Sequence, residues 1–343
     1  MTARLDDPDD PWQPTRLAIL VAASAGDAGA TYRLIADLMG EGVPFSTILF
    51  EVFIPLEAEV GKRWQQGDFG VADEHLVTAT LETVVSLLAG SFDIPDDARR
   101  VVVTCAEGDT HSLPARMVAA YLVFLGWRAV FLGPSQPASE LRNFLRERRS
   151  EALILSCAMT GALPGARECI RVAHEAGIPV LAGGRGFGPD GARAYALGAD
   201  AWTADPARVD EILRTWDPDP AAAEFGARDG GKDLFHLRQR RAELLARAEA
   251  TLVKPDGPVG DARLGSDLDL VLDALAASLL LGDPEVMVEF VDWDCSRVTA
   301  LPRPDPTALV AALRTALRAD LPSAIAFLDA AIGRTGASPR SPE

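Results

Sequence analysis

Between residues 98 and 216, short apolar runs alternate with helical segments, and this alternation limits the fold more than any other feature of the chain. The predicted strands lie at residues 101–105, 127–132, 152–156 and 178–184, with a weaker one near 199–202. Strand–helix alternation at this interval is typical of a doubly wound parallel sheet. Ligands of such sheets bind beyond the carboxyl ends of the strands. The residues that follow each strand are therefore the candidates for chemistry.

Helical periodicity lies on both sides of the sheet region. The apolar spacing before it, with short glycine-containing joints, predicts a four-helix bundle, and the spacing after it predicts an all-helical domain. The predicted divisions in chain order are a disordered start at 1–14, the bundle at 15–95, the sheet domain at 98–216, a linker at 217–232, the all-helical domain at 233–334 and a disordered tail at 335–343. The fold class is α/β plus all-α.

The acidic balance of the chain limits its partners. Its 50 acidic and 33 basic residues give a net charge of −17, which argues against direct binding to nucleic acid or anionic lipid. No apolar run is long enough to cross a bilayer, so we expect a cytoplasmic protein. The four cysteines form no CxxC pair, and Cys105 and Cys157 are predicted to be buried thiols in a reducing compartment.

The loop after the first strand contains Asp109-Thr110-His111. A His in this position donates one ring N–H to the carboxylate and presents its other nitrogen to a metal. Taken alone, a loop His that hydrogen-bonds its neighbouring Asp and holds no metal is the commoner arrangement.

Two later strand ends carry residues suited to a buried ligand. Ser156 ends the third strand, Thr160 follows four residues later, and Gly183 and Gly184 end the fourth. Hydroxyl groups hydrogen-bond a buried heterocycle, and paired glycines let the backbone approach a flat ligand. Since parallel strand ends meet at one sheet edge, these features and His111 are predicted to converge.

The pattern DxH, then SxxxT, then GG resembles the Rossmann-like cobalamin-binding module of methionine synthases, corrinoid proteins and related sensors. The resemblance implies that His111 is the lower axial ligand of cobalt and that Asp109 is its hydrogen-bond partner. It also implies a channel for the nucleotide tail of the cofactor, lined by Ser156, Thr160, Gly183 and Gly184.

Two positions depart from that pattern. Proline occupies position 114, where the family has the glycine of DxHxxG, and Ala158 replaces the leucine of SxL. Because Pro114 restricts the loop path, two alternatives to His111 ligation stay open. The cobalamin keeps its own base as the lower ligand of cobalt, or another group ligates the cobalt.

The helical N-terminal half carries a second match. Trp64 precedes Glu74-His75 by ten residues, and this arrangement resembles the cap of the cobalamin-dependent photoreceptors that control carotenoid genes. The resemblance implies that Trp64, Glu74 and His75 of this chain cover an adenosyl group on the upper face of the cofactor. Those photoreceptors have a second His directly after the Trp, whereas this chain has Gln65. The alternative is a Trp that closes a bundle and a Glu near a helix start.

A cobalamin module followed by helices resembles the photocobilins, whose globin-like C-terminal domain binds biliverdin. The basic residues at the start of the C-terminal domain are candidates to pair with bilin propionates; they are His236, Arg238, Arg240 and Arg241. A basic, solvated first helix is the alternative. Cys295 is a lesser candidate for a thioether to the bilin.

The sequence therefore predicts a light sensor that uses adenosylcobalamin, with biliverdin as a candidate second chromophore, rather than an enzyme. Its output is expected to reach an effector protein in trans or to act through a homo-oligomer. A corrinoid methyl carrier or a mutase small subunit is the alternative. His174, in the helix before the fourth strand, is predicted to be a surface residue.

Overall fold

The N-terminal region is helical, as predicted. The computed structural model describes residues 10–217, 231–252, 262–297, 305–317 and 321–335. The N-terminal elements are α1 (Gln13–Ser24), α2 (Ala28–Gly40), α3 (Phe45–Thr47), a π-helical segment (Ile48–Phe53), α4 (Ile54–Gln66) and α5 (Val71–Ala89). Asp27 accepts from the Ala30 N–H to cap α2, and Gly67 ends α4 in the left-handed conformation.

The central region is a five-stranded parallel sheet. Its strands are β1 (Arg100–Cys105), β2 (Arg128–Phe131), β3 (Ala152–Ser156), β4 (Val180–Gly183) and β5 (Ala201–Thr203). They lie in the order β2-β1-β3-β4-β5, so the direction of winding reverses between β1 and β3. The loops that follow β1 and β3 border this switch point, where ligands of doubly wound sheets bind.

Helices cover both faces of the sheet. They are α6 (Leu113–Phe124), α7 (Ala138–Arg148), α8 (Leu163–Glu175), α9 (Ala192–Ala196) and α10 (Val209–Thr215). Alternate residues of β1 point to opposite faces: Val101 and Val103 pack with α6 and α10, whereas Val102 packs with α7 and α8. Leu113 and Met117 of α6 also enter the apolar core of the N-terminal helices. One helix therefore joins the cap to the sheet.

The C-terminal region is helical, as predicted. Its described helices are α11 (Gly231–Gln239), α12 (Arg241–Leu252), α13 (Ala262–Leu281), α14 (Glu285–Ser296), α15 (Pro306–Leu317) and α16 (Pro322–Thr335). Their buried leucines, such as Leu272 and Leu275 of α13, belong to the same apolar core as Leu153 and Leu155 of β3. The C-terminal helices are therefore packed onto the sheet domain.

Two local expectations differ from the structure. The described part of the expected disordered start, residues 10–14, is ordered: α1 begins at Gln13, and Asp10 pairs with the buried Arg16. His174 is not a surface residue, because its Nε2 lies 2.8 Å from Oδ2 of Asp200 and its side chain is 11% exposed. Residues 1–9, 218–230 and 336–343, and with them most of the expected linker and tail, lie outside the described residues.

Candidate functional site

Asp109 fixes both the backbone and the ring of His111. Its fully buried carboxylate accepts from the His111 N–H at 3.0 Å, and the same Oδ1 lies 2.9 Å from Nδ1 of the imidazole. The other oxygen, Oδ2, accepts from the N–H of Ala158. Since Nδ1 faces the carboxylate, Nε2 is the ring nitrogen presented outward, and the side chain is 44% exposed. This is the orientation that a metal ligand requires.

The hydrogen bond that His111 donates to Asp109 is the main cause that raises the pKa of His111 above its ordinary value. The raised basicity strengthens the imidazole as a donor to a metal. Pro114 lies in the first turn of α6, where a helix has no need of that residue's N–H. The Asp109–His111 pair forms with proline in place of the expected glycine.

The ends of β1, β3 and β4 lie side by side. Cys105 pairs with Ser156, and Ser156 pairs with Gly183 in the parallel register. Gly184 has a φ of +101°, and a Cβ built on it would lie 2.5 Å from the Cys157 carbonyl oxygen. A side chain at Gly184 is therefore excluded by both conformation and space. Ser156 is buried at this edge, as a residue lining a channel would be.

Thr160 lies in the loop that follows β3, four residues after Ser156. It begins a 3-10 turn (Thr160–Ala162) that packs against α13 of the C-terminal region. A Cβ on Gly161 would lie 3.0 Å from Cβ of Asp273. The C-terminal helices therefore cover one side of the loop that resembles the tail-binding loop.

One face of α4 is turned toward this sheet edge. Glu57, Gly61 and Trp64 recur at a spacing of four and three residues, which places them on one side of the helix. No heavy atom lies within 4 Å of a Cβ built on Gly61, so the middle of this face is open. A carboxylate and an indole thus flank a gap that suits a flat ligand.

The next helix, α5, adds two carboxylates near the same sheet edge. The space between the open face of α4, α5 and this edge is called the cleft below. Glu74 is 27% exposed and accepts from the Thr78 hydroxyl at 3.0 Å. Glu82, two turns along, accepts from the hydroxyl of Ser112, the residue after His111. His75 is turned outward, with 74% of its side chain exposed and its Nε2 3.5 Å from Oε2 of Glu74. The structure therefore brings Glu74, but not His75, into the cleft.

The charges that act on Glu57 indicate that these groups lie near one another. Burial raises the pKa of Glu57 to about 7, against the opposing charges of Arg185 and His111 and with the like charges of Glu74 and Glu82. Arg185 directly follows Gly184, so the sheet edge supplies a cation opposite the acidic helix faces. Sequence reasoning missed Glu57, Gly61, Arg185 and Glu82. The position of Glu57 two turns before Trp64 was the available signal for the first of them.

The buried thiols at the sheet edge are unreactive. Burial raises the pKa of Cys105 to about 12 and that of Cys157 well above its ordinary range, so both remain protonated at neutral pH. Within the described residues no group of three or more His, Cys, Asp or Glu could hold a metal ion. His111 fits the role of a single ligand to a metal that a macrocycle already carries, and this is the arrangement in a corrin.

Comparison with known proteins finds two matching family models and a curated relative. A family model described as a B12 binding domain matches residues 99–209, and a second B12 binding domain model matches residues 17–89. The HTH-type transcriptional repressor CarH of Myxococcus xanthus is 29% identical over 174 residues, which cover 49% of this chain and 57% of that protein. The chain thus spans little more than half the length of this curated relative.

Two solved structures are also similar. The monomethylamine corrinoid protein of Methanosarcina barkeri is 18% identical, with 59% of this chain and 97% of that chain covered and a TM-score of 0.49. A cobalamin-binding protein from Desulfitobacterium hafniense DCB-2 is 21% identical, with coverages of 59% and 98% and a TM-score of 0.33.

These family matches show a chain that carries cobalamin (B12) binding domains, with the sheet edge and His111 in one matched region and the helical cap in the other. The two matched regions, 17–89 and 99–209, cover the cap and the sheet domain, so the chain carries a B12-binding domain in each. The predicted resemblance to cobalamin-binding photoreceptors is confirmed by these matches and by the similarity to CarH. No helix among the described residues has the length and apolarity needed to cross a bilayer.

Proposed function

We propose that this chain is a light sensor that binds adenosylcobalamin between its helical cap and its sheet. The observation that carries the proposal is the His111 imidazole, which Asp109 holds through Nδ1 and whose charge acts on Glu57 of α4. Bound adenosylcobalamin would supply absorption of visible light and a cobalt–carbon bond that light breaks. The similarity to CarH supports this form of the cofactor.

In this proposal each residue has a separate task. His111 would hold the metal through Nε2, and the strand-end residues Ser156, Gly183 and Gly184 would hold the nucleotide tail. Trp64 would pack over the adenosyl group, and Glu74 would accept hydrogen bonds from it. Without that group Trp64 and Glu74 would lose a contact, and the equilibrium between a closed and a loosened cap would shift. The signal then passes to an effector protein in trans or to a homo-oligomer.

The test uses purified protein loaded with adenosylcobalamin in darkness. We expect a spectrum that changes irreversibly under green light. His111→Ala should alter the dark spectrum, whereas His75→Ala, which changes the outward-facing imidazole, should leave it as in the wild type. An identical spectrum for His111→Ala would remove the proposed cobalt ligand.

A corrinoid methyl carrier is the alternative function. A carrier must open its upper face to partner enzymes, whereas Trp64 here is half-buried and stacked on Trp293. A photostable spectrum together with methyl exchange to a partner methyltransferase would favour the carrier.

Biliverdin binding by the C-terminal helices is a further part of the proposal, drawn from the resemblance to photocobilins. Arg241 is paired with Asp269 and Asp273, and Arg240 with Glu243, whereas His236 and Arg238 are exposed. Cys295 is also exposed. Co-expression with a biliverdin source should add absorption beyond about 600 nm, and His236→Ala with Arg238→Ala should reduce it. An unchanged spectrum after co-expression would contradict this part.

A further inference from the structure

The indole of Trp64 is held by the C-terminal region. Its ring stacks on Trp293 of α14, with centroids 6.2 Å apart and planes inclined by 29°. The guanidinium carbon of Arg297 lies 5.2 Å from the centroid of Trp64 and 4.8 Å from that of Trp293. One cation therefore covers two stacked indoles, and contacts of this kind stabilise an aromatic pair.

Arg297 is itself fixed in place. It forms an ion pair with Asp294, which is buried, and lies 4.0 Å from Asp267 of α13. Its side chain is 9% exposed, so this guanidinium is part of the packed domain and not a mobile surface group. The position of Trp64 thus depends on α13 and α14 as well as on α4.

The residue after Trp64 makes a second contact with the same helix. The amide of Gln65 donates to the hydroxyl of Ser296. The cobalamin-dependent photoreceptors that the cap of this chain resembles have a second His at this position. Here the side chain ties α4 to α14 instead.

We infer that Trp293 and Arg297 are positioning residues, which hold Trp64 over the upper face of the cofactor and so let the C-terminal region control how firmly the upper group is retained. The inference rests on the proposed function. Its physical reason is that an indole with two rotatable bonds covers a ligand well only when its rotamer is fixed by neighbours.

The experiment compares two cobalamins that differ only above the corrin. Adenosylcobalamin carries a bulky upper group, and hydroxocobalamin does not. Trp293→Leu removes the stacked aromatic pair and should weaken adenosylcobalamin binding about three- to tenfold. The affinity for hydroxocobalamin should stay at the wild-type value. Trp293→Phe should restore much of the loss, and Asp292→Asn, at the exposed neighbouring position on α14, is the matched control.

Arg297→Lys provides a second variant that keeps the charge opposite Asp294 but loses the planar group over both rings. It should weaken adenosylcobalamin binding in the same selective way. If Trp293→Leu binds each cobalamin as tightly as the wild type does, the inference is overturned and the proposed function is left intact. An equal loss for both cobalamins, with a lower unfolding temperature, would also overturn it, because the role would then be structural. Failure of the wild type to bind either cobalamin would instead refute the proposed function.

Discussion

At the residue scale, the site depends on one buried carboxylate. Asp109 is fully buried, and its two oxygens accept from His111 and from Ala158. A buried carboxylate without such donors would be costly, so the two loops must stay together for the charge to be tolerated. The pair therefore orients the imidazole and also joins the loops that follow β1 and β3.

Asp109→Asn should lower the pKa of His111, because the hydrogen bond that His111 donates to the Asp109 carboxylate is the largest cause that raises it. Folding raises this pKa, so the pair stabilises the ligand-free protein below the ordinary pKa of His, and that contribution is lost as the pH rises through the raised value. NMR titration of the four imidazoles would measure the change, with the exposed His236 as internal control. An unshifted His111 in Asp109→Asn would contradict the assignment.

Glu57→Gln should remove a pH-dependent destabilisation. Folding raises the pKa of Glu57 from 4.5 to about 7, so its ionisation opposes folding as the pH rises through this range. Above pH 7 the variant should be more stable than the wild type by up to about 3 kcal/mol, and near pH 4.5 the two should agree. Urea unfolding of ligand-free protein would measure this. Glu51→Gln, at an exposed position on the same helical run, should show no such difference.

At the element scale, α4 combines a packed face with an open one. Leu56 and Val60 are buried in the apolar core of the N-terminal helices, whereas Gly61 faces space. A glycine inside a helix lowers stability, so its presence here is explained by the room that it leaves. The same helix also connects two regions, since Trp64 and Gln65 at its end contact α14.

Substitutions at Gly61 should separate stability from binding. Gly61→Ala should stabilise the ligand-free protein by about 0.5–1 kcal/mol, because alanine loses less backbone entropy in a helix. Gly61→Leu should fill the gap and weaken cobalamin binding at least about tenfold, a loss of about 1.4 kcal/mol. Ala58→Leu, at an exposed position of α4, is the control for added bulk. Cobalamin titration of the three variants would test this, and unchanged binding by Gly61→Leu would show that the cofactor lies elsewhere.

At the scale of the whole molecule, the C-terminal helices are not an appended unit. Their apolar residues belong to the same core as one face of the sheet, and Arg193 of α9 forms an ion pair with Glu289 of α14 at 2.8 Å. The cap is joined to the sheet through α6 and to α14 through Trp64. All three regions therefore meet around the candidate site.

Calorimetry should show this shared core as cooperativity. We expect the sheet domain and the C-terminal helices to unfold in one transition, because they share buried apolar surface. A chain that ends at residue 217 should unfold at a lower temperature and aggregate more readily, since that surface would face water. Two separate transitions in the full chain, with the sheet transition unchanged after truncation, would contradict the expectation.

The sequence alone determined the local elements and the residues of the sheet edge. Strand periodicity, parallel connections and the strand-end rule place His111, Ser156 and Gly183 together, because parallel strands end at one edge whatever packs around them. Only the tertiary structure decided which cap residues face that edge. Neighbours such as Glu74 and His75 differ in exposure because a helix turns by about 100° per residue.

The tertiary structure also decided what surrounds Trp64. Trp293 stacks on Trp64 across 229 positions of chain, a contact that no local pattern encodes. The pKa of Glu57 likewise depends on charges from α5, the β1 loop and the β4 loop at once. Periodicity reports what one segment does by itself, whereas coverage of the cofactor cleft depends on how three regions pack together.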